Sequence, residues 1–261
     1  MNDSEVLANQ PSTWRGETER GLGLGLDRSF SFSDWLTERL EVFSPRKCAV
    51  CGCRLMPSEW TVCGLCVMDL PVLGWAADVR GNAMARHFWL KMEAEGCYAF
   101  LHHKPHSDAG NLVYRLKYCH DEEVGLWMGH TMGRDLVGSE LVRGVDFIVP
   151  APLAPKRVRQ RGYNQSELIA KGMGEVLGLP VRTDIVVRDT FFRSQASLSH
   201  SEREANVSGA FRVVNAEALQ GRHVLLLDDV VTTGATMLAF GQEVLKAGDV
   251  RVSVASWGFA M

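Results

Sequence analysis

The stretch that decides the fold runs from His223 to Thr236: His-Val-Leu-Leu-Leu-Asp-Asp-Val-Val-Thr-Thr-Gly-Ala-Thr. Its continuous apolar opening predicts a buried parallel strand, because crossover helices cover both faces of such a strand and remove the need for polar alternation. A helix is expected from about Ala235 to Ala247. Function in this kind of unit gathers at the carboxyl end of the strand, where the crevice opens. There Thr232, Thr233, Gly234, Ala235 and Thr236 bring hydroxyls and backbone N–H groups to a helix N-terminus, an environment that stabilises a phosphate. Asp228 and Asp229 stand immediately before that loop and are suited to accept hydrogen bonds from the hydroxyls of a ribose. A phosphate cradle thus adjoins a pair of sugar-hydroxyl acceptors.

Working outward, Phe147-Ile148-Val149 predicts a second strand, which feeds Pro150-Ala151-Pro152 and then a basic loop. That loop carries Lys156, Arg157, Arg159 and Arg161, four cations in six residues. Asn164, with Glu167 three residues on, predicts a capped helix through Leu168, Ile169, Met173, Val176 and Leu177. Strand, loop and helix in that order make one unit of a parallel sheet. Further strands are expected at Cys97–His102, Val181–Val187, Ala210–Val214 and about Val250–Trp257. Helices are expected from Ser107 or Asp108 toward Tyr118, and from about Glu122 to Val137. His102, His103 and His106 lack metal partners at a recognisable spacing and are expected in a solvated loop. The segment from Gly74 to Glu95 has no clear periodicity and suggests a connector.

Upstream lies a different chemistry. Cys48-Ala-Val-Cys51-Gly-Cys53 and Cys63-Gly-Leu-Cys66 form two Cys-x-x-Cys pairs. A tight Cys-x-x-Cys turn presents two thiolates to one ion, and four soft ligands suit tetrahedral Zn2+. Cys48, Cys51, Cys63 and Cys66 are the expected ligands, with Cys53 an alternative to Cys51. Four thiolates leave no open coordination position, so the role is structural. A module of some thirty residues buries little core, and metal binding supplies the missing stability.

The chain has 261 residues, a net charge of −3 and seven cysteines. That length suits one large α/β domain with a small accessory module, and the charge provides no global basic field for nucleic acid. An odd, clustered cysteine count argues against a secreted disulfide framework. With no apolar run of membrane-spanning length and no signal-peptide pattern at Met1, a cytoplasmic protein without membrane insertion is expected. Residues 1–31 are polar and glycine-rich and suggest a flexible arm. Ser33 is suited to cap a short helix with Trp35, Leu36, Leu40 and Phe43 on one face, and this helix is grouped with the cysteine module as residues 32–72.

The segment from Asp228 to Thr236 resembles the loop that binds phosphoribosyl pyrophosphate (PRPP) in type I phosphoribosyltransferases. The chain as a whole resembles the competence protein F (ComF) family. The resemblance is carried by Cys48, Cys51, Cys63 and Cys66; Leu116-Lys117-Tyr118 with Asp121; Val149 to Leu153; Arg161 to Gln165; Gln195, Leu198, Glu202, Arg203, Asn206 and Val207; and Asp228 to Thr236. It implies a zinc module followed by a type I phosphoribosyltransferase-like domain at residues 73–261, a parallel sheet with helices on both faces. It also implies PRPP bound with Mg2+, its 5′-phosphate on residues 232–236, its ribose on Asp228 and Asp229, and its pyrophosphate beside Lys156, Arg157 and Arg161. A role in natural transformation follows from the same resemblance, with single-stranded DNA and a DNA-processing protein as further partners. A non-catalytic DNA-binding protein using the same cradle is the second reading. The pattern departs at Thr190 and Phe192, where the family has Arg and Thr in the loop expected to close over substrate.

Overall fold

The computed structural model describes residues 45–188 and 209–260. The polar arm, the expected helix near Trp35 and the closing loop with Thr190 and Phe192 lie outside the described residues. Described helices are α1 (Gly64–Met68), α2 (Ala83–Phe88), α3 (Asp108–Tyr118), α4 (Glu122–Leu136), α5 (Pro155–Arg161), α6 (Gln165–Leu177) and α7 (Ala235–Leu245). Described strands are β1 (Gly96–His102), β2 (Phe147–Pro150), β3 (Val186–Arg188), β4 (Phe211–Val213), β5 (Arg222–Val231) and β6 (Val250–Phe259).

Four strands form a fully parallel sheet in the order β1-β6-β5-β2. Strand residues alternate between two apolar layers. Tyr98, Leu225, Leu227, Ala255 and Trp257 pack under α3, α4 and α6, while Cys97, Ala99, Val224, Leu226, Val252 and Val254 pack under α2 and α7. Both faces are therefore covered, which is why the strands tolerate continuous apolar runs.

Helix starts follow their caps. Ser107 Oγ accepts the Gly110 N–H in α3, and Asn164 Oδ1 accepts the Ser166 N–H in α6. α4 and α6 meet backbone to backbone. A β-carbon on Gly129 would run into the Ile169 carbonyl, and one on Gly172 into the Leu126 carbonyl. Glycine at these positions sets the distance between the two helices.

Three expectations change. The basic loop after β2 is the helix α5, because Pro155 occupies its first turn with φ already set, and Gly162 closes it at φ 81°. The strand expected over Val181–Val187 is broken. Val181 bridges Ile148 at the sheet edge, whereas Val186–Arg188 turns away to pair antiparallel with β4. The segment from Gly74 to Glu95 is more than a connector, since α2 starts at Asn82, whose side chain accepts the Ala85 N–H, and buries Met84 and Phe88 against the sheet.

The cysteine module is held by the bridge between Lys47 and Arg54 and by Glu59, whose carboxylate accepts the N–H groups of Met56 and Gly64. Cys48, Ala49, Leu55, Val62 and Cys63 join the same core as α4. No helix among the described residues is long and apolar enough to cross a membrane.

Candidate functional site

β2 and β5 are hydrogen-bonded as far as Pro150 and Leu227, with one further bond from the Ala151 N–H to the Leu227 carbonyl. Beyond that point the two connections diverge. The chain after β2 crosses by α6 over one face and returns to bridge at Val181, on the outer side of β2. The chain after β5 crosses by α7 over the other face to β6. A crevice opens where connections part in opposite directions, and ligands of open parallel sheets bind there. Among the described residues, β5 continues to Val231 with β6 alone paired to it, so Asp228 and Asp229 stand on a strand edge without a second described partner.

The two carboxylates are fixed in different ways. Asp228 Oδ1 accepts Ser166 Oγ at 2.9 Å and the Asp229 N–H at 2.8 Å. Ser166 lies in the first turn of α6, so the positive end of that helix faces this carboxylate. Burial, and then the neighbouring Asp229 charge, push the Asp228 carboxyl up from 3.8 to about 6. Asp229 instead pairs with Lys117 Nζ at 2.7 Å, and both side chains are largely sheltered from solvent. His103, one of the three histidines expected in a solvated loop, is half-buried against this pair. Burial, and then the Lys117 charge, hold its imidazole below the ordinary value.

The loop after β5 fits the expected cradle. Gly234 adopts φ 74° as the N-cap of α7. Among the described residues the N–H groups of Thr232, Thr233, Gly234 and Thr236 have no intramolecular acceptor, and only that of Ala235 reaches Thr233 Oγ1, at 3.5 Å. Thr232 and Thr233 are exposed, whereas Gly234 is buried and Thr236 half-buried. His87 Nε2 lies 3.0 Å from the Thr233 carbonyl, and a β-carbon on Gly234 would meet the same imidazole at 2.8 Å. α2 thus buttresses the loop from behind.

The cations do not act as one cluster. Lys156 and Arg157 are exposed on α5, while Arg161 donates to Gln165 Oε1 at 2.7 Å and lies 5.6 Å over the Tyr118 ring. Arg188, at the end of β3, joins them. Its guanidinium is held below its ordinary range by burial, then by repulsion from Arg157, with Asp228 opposing. The same guanidinium lies 5.1 Å over the Phe211 ring.

The sequence suggested Asp228, Asp229 and the loop, and did not assign Lys117, Ser166, His87, His103 or Arg188 to them. Lys117 had a signal in the Leu-Lys-Tyr stretch. Ser166 and His87 had none, because each acts through a partner more than sixty residues away.

The second candidate centre is the cysteine module. The sulfurs of Cys48, Cys51, Cys53 and Cys63 lie within 4.8 Å of one another, with Cys51 and Cys63 at 3.8 Å. Thiolates about 2.3 Å from a tetrahedral ion lie about 3.8 Å apart, so the spacing fits Zn2+. Cys48 Sγ accepts the N–H groups of Val50 and Cys63 at 3.4 and 3.3 Å, which stabilises a thiolate there. Cys66, expected as the fourth ligand, is not in this set; Cys53, expected as an alternative to Cys51, stands in it beside Cys51. All described cysteines are free thiols.

No protein-family model matches the chain. Competence protein F of Haemophilus influenzae is 29% identical over 80% of this chain and 88% of its own length. DNA utilization protein YhgH of Escherichia coli K12 is 31% identical over 80% of this chain and 95% of its own. Among solved structures, the chain is similar to an allosteric regulatory enzyme of purine biosynthesis (TM-score 0.36, 20% identity), covering 52% of this chain and 25% of that one. It is also similar to a purine phosphoribosyltransferase from Pyrococcus horikoshii (TM-score 0.30, 16% identity), covering 54% and 80%. Extended identity across nearly the full length of its curated relatives shows that the chain belongs to the competence protein F (ComF) family, alongside DNA utilization protein YhgH.

Proposed function

We propose that this protein binds phosphoribosyl pyrophosphate together with Mg2+ at the carboxyl ends of β5 and β2. It is a phosphoribosyltransferase-like protein serving DNA uptake in a thiol-preserving cytoplasm. The observation that carries the proposal is one of placement. Two sheltered carboxylates end directly in a loop of which, among the described residues, the Thr232, Thr233, Gly234 and Thr236 N–H groups lack acceptors, at the point where the sheet connections diverge. The 5′-phosphate takes the amides and hydroxyls of residues 232–236. The ribose hydroxyls donate to Asp228 and Asp229. The pyrophosphate lies toward Lys156, Arg157 and Arg161, with Arg188 as an added cation.

Transfer in such a site needs no covalent nucleophile. The bond from the ribose carbon to pyrophosphate breaks as an acceptor forms its own bond to that carbon, and pyrophosphate leaves with the electron pair. The protein contributes alignment and charge: carboxylates hold the sugar, and cations stabilise the departing anion.

Calorimetry with PRPP and Mg2+ tests the proposal, on the wild type and on Asp228→Asn/Asp229→Asn. Saturable binding lost in the double variant is expected. A wild type that fails to bind PRPP but binds single-stranded DNA in a salt-sensitive manner would replace this reading with the DNA-binding one.

A further inference from the structure

The acid pair on β5 has four carboxylate oxygens, and three of them are already engaged. Asp228 Oδ1 accepts the Ser166 hydroxyl and the Asp229 N–H. Asp229 Oδ1 accepts the Val230 N–H at 2.6 Å, and its Oδ2 meets Lys117 Nζ at 2.7 Å. Asp228 Oδ2 alone has no hydrogen-bond partner among the described residues. Lys117 reaches Asp229 because side chains alternate along a strand. Asp229 faces the same way as Leu225 and Leu227, into the layer that α3 covers. Only 23% of the lysine side chain and 12% of the aspartate side chain remain exposed, so solvent ions screen this pair far less than a surface one.

We propose that Lys117 is the built-in counter-cation of this acid pair, its ammonium standing where a divalent cation would otherwise bind. Carboxylate oxygens are the natural donors for a hard cation such as Mg2+. A free Mg2+ approaching Asp228 and Asp229 finds one unclaimed oxygen and a fixed positive charge beside the next, and that charge repels it. A hydroxyl donor meets no such barrier, since a carboxylate oxygen accepts about two hydrogen bonds and a hydroxyl carries no net charge. Lys117 thus makes the acid pair selective for sugar hydroxyls over a bare cation. Mg2+ then enters the crevice on the phosphates of its ligand rather than ahead of them. This last step rests on the PRPP reading, whereas the exclusion of a free cation rests on the ion pair alone. Lys117 acts on specificity here and takes no part in bond making.

The test titrates the full chain with Mn2+, a hard cation read directly by electron paramagnetic resonance, with no PRPP present. Wild type, Lys117→Gln, Lys117→Arg, Asp228→Asn and Lys117→Gln/Asp228→Asn are compared. Glutamine keeps an N–H donor for Asp229 while removing the charge, and arginine keeps the charge. Lys117→Gln is expected to bind Mn2+ roughly tenfold more tightly than wild type, the scale on which a nearby charge shifts a carboxylate's cation affinity. Lys117→Arg is expected to match wild type, and the gain to vanish in the double variant. Wild-type Mn2+ affinity in Lys117→Gln overturns the proposal. So does a wild type that already holds one Mn2+ and loses it in Asp228→Asn, a result that needs no lysine variant to fold. A wild type that fails to bind PRPP in calorimetry overturns the function proposed above and is a separate result, because no titration here contains PRPP.

Discussion

The cysteine module and the carboxyl-end crevice are two sites built on opposite plans. In the first, five thiols come from nineteen consecutive residues, Cys48 to Cys66. In the second, Lys117, Ser166 and the Asp228-Asp229 pair meet from three separate elements. The first is arranged by turns that a short sequence specifies and has little core of its own. The second has no local coherence and exists only because the sheet and its helices are packed. Loss of a thiol is therefore expected to threaten the first site's fold, whereas loss of a charged residue in the second is expected to threaten only the proposed ligand.

The largest effect expected from this contrast is metal removal. A strong chelator at neutral pH withdraws stabilisation on the order of 10 kcal/mol from the module. Trp60, which lies 5.4 Å from His130 of α4, then leaves its partner. Tryptophan fluorescence and proteolysis between residues 45 and 72 read this out while the sheet persists. Unchanged fluorescence and protection after metal loss would erase the contrast.

Next in size is Gly129→Ala. The added methyl meets the Ile169 carbonyl and forces α4 from α6, at a cost of about 2–4 kcal/mol. Because α6 carries Ser166, ligand affinity falls with stability while metal content stays at wild type. Urea denaturation, calorimetry and metal analysis together check that separation.

Asp228→Asn has the opposite sign on stability. The Asp228 carboxyl ionises at about 6 in the folded chain against an ordinary 3.8. Below both values it is protonated folded or unfolded and contributes nothing. As pH rises from about 4 to 6 the unfolded chain ionises first, so stability falls, by at most about 3 kcal/mol, and stays lower above that window. The asparagine keeps an oxygen for Ser166 and the Asp229 N–H while removing the charge. A higher Tm at pH 7.5, a flatter pH dependence between 4 and 6, and weaker PRPP binding are expected. A lower Tm at pH 7.5 contradicts the buried-charge argument.

The smallest effect belongs to His87→Ala. Losing one hydrogen bond to the Thr233 carbonyl costs about 0.5–1.5 kcal/mol, which is expected to weaken PRPP binding by at most roughly two- to thirteenfold. An unchanged Kd would mean that the loop holds its own shape.

Much of this was legible in the chain. The strand at His223, the helix after Gly234 and the cap at Ser107 follow from patterns only a few residues long. So did Asp228, Asp229 and the loop, because strand, acids and cradle are consecutive. The helix α5 was read as a basic loop, although Pro155 in its first turn and Gly162 at its close are signals of a short helix. The break after Val181 left no trace, since a strand that changes partner has the same composition as one that does not.

By itself the sequence determined the local devices: which segments are strands, where helices begin, that thiols cluster, and that two acids directly precede a Thr-Thr-Gly loop at a helix start. Each depends on dihedral preferences and side-chain chemistry within a few bonds. Only the tertiary structure decided that Lys117 neutralises Asp229, that the N-terminus of α6 steadies Asp228, that His87 braces the cradle and that Arg188 joins the cationic side. Those pairings depend on where helices pack across a sheet. That is set by burying both of its faces at once, with Gly129 and Gly172 bringing two backbones together, and no short stretch of sequence contains it.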